Sequence, residues 1–230
     1  MTPSEHIIYV VDDDLRMRES IQNLLASYGR KAMVFASAAE YIESPKPDLA
    51  ACLVLDVELP DMNGLELQRQ LAGAQHPPIV FITGHGDIPR SVRAMKAGAV
   101  DFLAKPFRVE DFLAAIDSAV THDRQARATV SELNVLRERH ESLTPREREV
   151  LPLIVSGLLN KQAAARLGIS VVTLQIHRGN IMRKMAAGSL TDLVRMSTKL
   201  GIPVYERCSV TAAKPGVVRS EWSKPGPTCS

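Results

Sequence analysis

The chain has 230 residues, 45% of them hydrophobic and 23% charged, with a formal net charge of +2. That length can bury one large or two smaller cores, and no run approaches the roughly 18 consecutive apolar residues of a membrane span. The near-neutral total hides a division, because residues 1–122 hold 11 Lys+Arg against 17 Asp+Glu, a net of −6, while residues 142–203 hold 9 against 3, a net of +6. An acidic front and a basic back point to two domains with different partners, the second suited to a polyanion. The start, "MTPSEHII", has neither the basic region nor the apolar run of a signal peptide, so a cytoplasmic protein with no membrane partner is expected. Cys52, Cys208 and Cys229 are far apart and odd in number, which supports neither a disulfide frame nor a zinc site.

In chain order, "IIYVV" (7–11), "KAMVF" (31–35, the weakest), "CLVLD" (52–56), "IVFIT" (79–83) and "DFLAK" (101–105) read as short strands bounded by turn residues. Between and after them, "RMRESIQNLLASYG", "GLELQRQLAG", "SVRAMKAGA" and "EDFLAAIDSAV" carry helical spacing. The alternation implies an α/β fold, a doubly wound parallel sheet of five strands over residues 1–122. Residues 123–141 are charged, free of Pro and Gly, and have a thin apolar stripe at Val130, Leu133 and Leu136. They are expected to form a solvated helical linker or, less simply, a pairing helix in a dimer. Over 142–203 an all-α domain is expected. Thr144, Pro145 and Glu147 spell a capped helix start that runs to Gly157; Asn160 caps a second helix stopping at Gly168; Ser170 caps a third from Val171 to about Met185. The last two, joined by "LGIS", have the proportions of a helix-turn-helix. The remainder, 204–230, is rich in Pro, Gly and Ser and is expected to be disordered, with Trp222 exposed or locally packed.

The chemistry gathers at the strand ends. "YVVDDDL" (9–15) ends an apolar run on three carboxylates, whose mutual repulsion needs an offsetting charge or helix terminus. In a doubly wound sheet, ligands bind beyond the C-terminal ends of the strands. Asp12 and Asp13, Asp56, Thr83 and Lys105 therefore converge. Three carboxylates suit a hard, oxygen-liganded cation such as Mg²⁺, and a hydroxyl with an ammonium suits a phosphoryl group. Any of Asp12 to Asp14 could instead be a helix cap, and Asp14 fits that use best.

"VVDDD", "LVLDVELPDMNGLEL", "FITGHGD" and "AVDFLAKPF" resemble the four signature blocks of two-component response-regulator receivers, which have the flavodoxin- or CheY-like fold. "LTPREREVL", "NKQAAARLGIS" and "TLQIHRGNIMRKM" resemble the LuxR-type helix-turn-helix of the NarL/FixJ family. The likeness covers residues 5–203 and is closest to the FixJ-like branch. It implies that Asp56 accepts a phosphoryl group from a histidine kinase. Mg²⁺ is then held by Asp13 directly, by Asp12 through water or hydrogen bonds, by Asp56 and by the Glu58 backbone carbonyl. Thr83 and Phe102 form the switch pair, Lys105 pairs with the phosphoryl group, and Pro106 is the family's cis proline. The chain is then not an enzyme but a phosphorylation-promoted homodimer that binds double-stranded DNA and regulates transcription, with contact to RNA polymerase included.

On the DNA side, Lys161, Arg166, Arg178, Arg183 and Lys184 are available to phosphates. The resemblance places Gln175, Ile176 and Gly179 toward the bases, with Thr173 and His177 near the backbone. Many relatives carry lysine where this chain has Gln175 and Gly179. Base contact then leans on Gln175 against adenine and Ile176 against a thymine methyl, and affinity on dimerisation. Two rivals are a phosphorylation-independent DNA-binding protein and an aspartyl-phosphate phosphatase of the haloacid dehalogenase type. The second wants a DxD motif where this chain has "DVEL".

Overall fold

A computed structural model describes residues 6–72, 76–84 and 88–203. The expected disorder of 204–230, Trp222 and the His85 to Asp87 part of the "FITGHGD" block lie outside the described residues. The chain divides into two compact units between Asn134 and Val135. No described helix is long and apolar enough to cross a membrane.

The first unit is built on five strands, β1 (His6–Val11), β2 (Lys31–Phe35), β3 (Ala50–Asp56), β4 (Ile79–Thr83) and β5 (Asp101–Ala104), in the order β2-β1-β3-β4-β5. Every pairing is parallel. Such a sheet is covered on both faces, which is why the strands read as unbroken apolar runs. Alternate residues divide accordingly. Tyr9, Val11, Leu53, Leu55 and Phe81 pack on one side, and Ile8, Val10, Cys52, Val54 and Ile82 on the other with Phe112 and Ile116. Each Val, Leu, Ile or Phe side chain among them contributes about 1.5–3 kcal/mol by leaving water. Cys52 is a free, buried thiol of this core, and burial pushes its pKa up.

Among the described residues, the helices that accompany these strands are α1 (Leu15–Ser27), α2 (Ala38–Glu43), α3 (Gly64–Leu71), α4 (Ile88–Lys96) and α5 (Val109–Glu141), the last of which passes into the second unit at Val135. The periodicity reading passes over α2. Its start is nonetheless written in Ser37 and Glu40, since Ser37 Oγ accepts from Glu40 N–H at 3.2 Å and Glu40 Oε2 from Ala36 N–H at 2.7 Å. The larger difference is α5, which runs on without a break through the stretch expected to be a separate linker. Asp123 is buried, and its carboxylate accepts from Ala51 N–H at 2.8 Å and from Arg127 Nε at 2.7 Å, while Arg127 also pairs with Asp48. The buried start of β3 thus takes its acceptor from α5, so residues 123–127 belong to the first unit.

The second unit holds α6 (Pro145–Val155), α7 (Asn160–Leu167), α8 (Val171–Met185) and α9 (Leu190–Lys199) around Val150, Leu151, Leu174, Ile181 and Leu193. Gly168, at φ 65°, closes α7 in the left-handed conformation that glycine adopts at little cost, and Ser170 caps α8. Asn160 does not cap α7. Leu159 holds that position, with its N–H satisfied by Gln162 Oε1 at 3.1 Å. Asn160 Oδ1 instead accepts from Arg178 Nη1 of α8 at 3.1 Å. The final helix, α9, has no counterpart in the sequence reading although Ser189 caps it through Asp192 N–H.

The capping box of α6 has a third member. Glu147 Oε2 accepts from Thr144 N–H at 2.8 Å and from Lys184 Nζ of α8 at 2.7 Å. Burial alone would raise the Glu147 pKa, but these partners together hold it below 4.5. A depressed carboxylate contributes stability above its unfolded value and loses it as pH falls through the folded one. Glu147→Gln is therefore expected to destabilise this unit by about 2 kcal/mol at pH 7. The deficit should shrink as pH drops below 4.5, and amide exchange in α6 and α8 against pH would show it.

Candidate functional site

The parallel register brings the strand ends to one edge. Val11 is level with Leu55, Asp56 with Ile82, and Thr83 with Ala104, so residues just past β1, β3, β4 and β5 share a crevice at the reversal of strand order between β1 and β3. A cavity of about 480 Å³ opens there, lined among others by Asp12, Asp13, Asp56, Glu58, Gly84 and Lys105. The three carboxylates offer oxygen atoms lying within 4.8 Å of one another.

Lys105 stands between two of these acids, its Nζ 2.6 Å from Asp12 Oδ2 and 2.6 Å from Asp56 Oδ2. Asp12 is fully buried, Asp56 nearly so, and Asp13 exposed. Burial raises the Asp12 pKa despite Lys105 and the N–H of Asp14. For Lys105, burial opposes the ammonium, but its two carboxylate partners outweigh it and the pKa rises. The remaining oxygens of the pair are held by backbone: Asp14 N–H donates to Asp12 Oδ1 at 2.9 Å, and Glu58 N–H to Asp56 Oδ1 at 3.0 Å. Asp14 caps α1 through Arg16 N–H at 2.9 Å. The three consecutive acids thus meet a lysine, backbone donors and a helix terminus.

Thr83 is buried at the end of β4, where its carbonyl accepts from Lys105 N–H at 2.7 Å. Phe102 lies away from the cavity wall, partly buried in the core beside Phe81, with ring centroids 6.0 Å apart. The peptide bond between Lys105 and Pro106 is cis.

Three contributors escaped the sequence reading. Arg18 Nη1 donates to the carbonyls of Asp12 and Asp13 at 2.6 and 2.9 Å, bracing the acidic turn; an arginine one turn into the helix was the only clue. Asp61 accepts from Ala38 N–H at 3.4 Å and Ala39 N–H at 3.0 Å, joining the loop after Asp56 to the start of α2. Gly64 begins α3 directly against the Asp56 carbonyl.

In the second unit, the helical repeat puts Val172, Gln175, Ile176, Gly179 and Arg183 on one face of α8, and all five are exposed. Leu174, Ile181 and Met185 fill the opposite face. Thr173 and His177 flank it, partly exposed, and Thr173 Oγ1 is 2.8 Å from the Ser170 hydroxyl. Lys161 and Arg166 are exposed on α7. Two more of the cations expected at phosphates, Arg178 and Lys184, are partly exposed and also have partners within this unit. Arg178 spends a guanidinium donor on Asn160, and Lys184 reaches Glu147 and the Ser142 carbonyl at 3.1 Å. Both cations hold helices of this unit together.

Residues 8–117 match the response regulator receiver domain family, and residues 141–197 match the luxR family of bacterial regulatory proteins. Nodulation protein W of Bradyrhizobium diazoefficiens is 51% identical over 197 residues, 85% of this chain and 87% of that protein. The chain belongs to the two-component response regulators with a LuxR-type helix-turn-helix. Among solved structures, the regulator resembles the response regulator StyR, at 45% identity and a TM-score of 0.77 over 85% of this chain and 99% of that one. It also resembles full-length FixJ from B. japonicum, at 40% identity and a TM-score of 0.52 over 88% and 100%. It is a DNA-binding response regulator of the two-component type.

Proposed function

We propose that this regulator is switched by phosphorylation of Asp56 and acts on transcription as a DNA-bound homodimer in the cytoplasm. The observation that carries the reading is the meeting of Asp56 with Asp12, Asp13 and Lys105 at the strand ends. In the reaction, an Asp56 carboxylate oxygen attacks the phosphorus of a kinase phosphohistidine. The O–P bond forms as the N–P bond breaks, and the imidazole leaves to take up a proton. Lys105 pairs with the incoming phosphoryl oxygens, leaving Asp12 the ammonium's second partner.

The donor set fits Mg²⁺, since three clustered carboxylates and a nearby carbonyl are hard oxygen ligands. Asp12, Asp13, Asp56 and the Glu58 carbonyl would hold it. When bound, Mg²⁺ supplies positive charge that lets a phosphoryl group approach the acids. Thr83 and Phe102 are the switch pair, biasing a two-state face formed by residues 90–97 and 101–104. That face would govern pairing, so that two copies of α8 meet adjacent half-sites, with RNA polymerase as a further partner. For DNA, Lys161, Arg166, Arg178, Arg183 and Lys184 face phosphates together with Thr173 and His177; Gln175 and Ile176 face bases, and Gly179 adds no charge of its own on the groove side.

The Lys105 bridge between Asp12 and Asp56 also favours a second reading, in which the pocket is only structural. Wild type and Asp56→Asn, treated with a small-molecule phosphodonor and Mg²⁺, separate the two. The wild type alone is expected to form an acid-stable, base-labile phosphoprotein and to change its oligomeric state and genome-wide DNA occupancy. Identical behaviour of the two proteins would leave the structural pocket as the reading.

A further inference from the structure

Beside Gln175 and Arg183, the exposed face of α8 carries two apolar side chains. Val172 and Ile176 are 65% and 60% exposed. Their i, i+4 spacing sets the two branched side chains side by side. Gly179 continues the face without a side chain, and a Cβ built there would meet nothing within 4 Å. The fold does not need either aliphatic residue, because the core contacts of α8 come from Leu174, Ile181 and Met185. β-branched residues also lower helix propensity slightly, so local structure does not select them.

Valine and isoleucine side chains have no donor or acceptor. Among the base edges of an unmodified major groove, the group that suits such contact is the C5-methyl of thymine, which projects from edges otherwise marked by donors and acceptors. The charge around them favours DNA over a protein as the occupant. Arg183 lies on the same face of α8, and residues 142–203 hold 9 Lys+Arg against 3 Asp+Glu, a balance suited to a polyanion.

We infer that Val172 is a specificity-determining residue which, with Ile176, reads thymine methyl groups in an A·T-rich half-site, Gln175 being available to an adenine edge. The inference rests on the proposed placement of α8 in the groove and not on phosphorylation of Asp56. Full-length protein would select duplexes from a random pool, and the preferred site would be resynthesised with deoxyuridine in place of each thymine in turn. This removes one methyl and leaves every hydrogen-bonding edge intact. Affinity is expected to fall about fourfold at each contacted methyl. Val172→Ala should abolish the penalty at one position, and Ile176→Ala at another. A Val172→Ala protein that keeps every uracil penalty of the wild type overturns the inference, as does a wild type with no penalty or no preferred sequence. Thymine and uracil duplexes are compared on the same preparation, so failure of the phosphorylation reading would leave this result unaffected.

Discussion

Gly64→Ala is expected to lower the stability of the first unit by about 3 kcal/mol and to slow phosphoacceptance by about 100-fold. A Cβ at position 64 would sit 2.4 Å from the Asp56 carbonyl oxygen and 3.2 Å from both the Asp56 carbonyl carbon and Val57 Cα. These are backbone atoms with no rotamer to escape into. The glycine is also tied in place, because Gly64 N–H donates to the Val57 carbonyl at 2.9 Å and Glu58 bridges to Asn63. Either the loop from Val57 to Asn63 opens or the end of β3 moves, and both displace the proposed nucleophile. Thermal unfolding should show a loss of roughly 10 °C, and the phosphodonor assay should show a rate loss larger than the unfolded fraction explains. A normal rate in the folded fraction would mean that Asp56 tolerates the shift.

Some of this was written in the sequence and some could not be. The strands were legible because a parallel sheet buries both faces, so Ile7 to Val11 and Cys52 to Leu55 appear as apolar runs of strand length, rich in Val, Ile and Leu and bounded by turn residues. Strand ends then placed Asp12, Asp56 and Lys105 together without any tertiary information. The helix α2 was missed because six residues give too little periodicity, although its capping pair was present. The continuity of α5 was missed for a different reason. The stretch looks polar because its anchor is a buried carboxylate, Asp123, that serves a backbone N–H, and hydropathy counts such a residue as solvent-facing. Arg178 and Lys184 show what charge alone leaves out. A count of cations in a basic domain says nothing of partners inside the fold, whereas geometry gives these two Asn160 and Glu147 as well. Gly64 is the hardest case, since the close approach that requires it joins residues eight apart and leaves no mark except the glycine itself.

Lys105→Ala is expected to cost the first unit about 3 kcal/mol at pH 7, the range for removing one partner of a buried ion pair, and the cost should depend on pH in a set direction. The Asp12 pKa is raised from 3.8, first by burial, with Lys105 opposing the rise. A carboxyl that holds its proton more tightly when folded loses stability as pH climbs from the unfolded value through the folded one. Without Lys105 that window extends toward neutrality. The difference between wild type and variant should therefore be largest at pH 7 and shrink as Asp12 protonates in both. Lys105 itself, raised above 10.5, contributes fully below that value and loses its contribution only as pH passes the folded one, so it adds no slope of its own near neutrality. Urea unfolding at steps of pH, followed by circular dichroism, reads both effects. A loss that is constant with pH would show that Asp12 is not the group left uncompensated. Adding Asp12→Asn to Lys105→Ala should recover much of the stability, because the buried charge is then gone, and the residual coupling measures what the lysine does for Asp56. Asp12 and Asp56 also belong to the proposed Mg²⁺ site, so Mg²⁺ should restabilise Lys105→Ala more than it does the double variant.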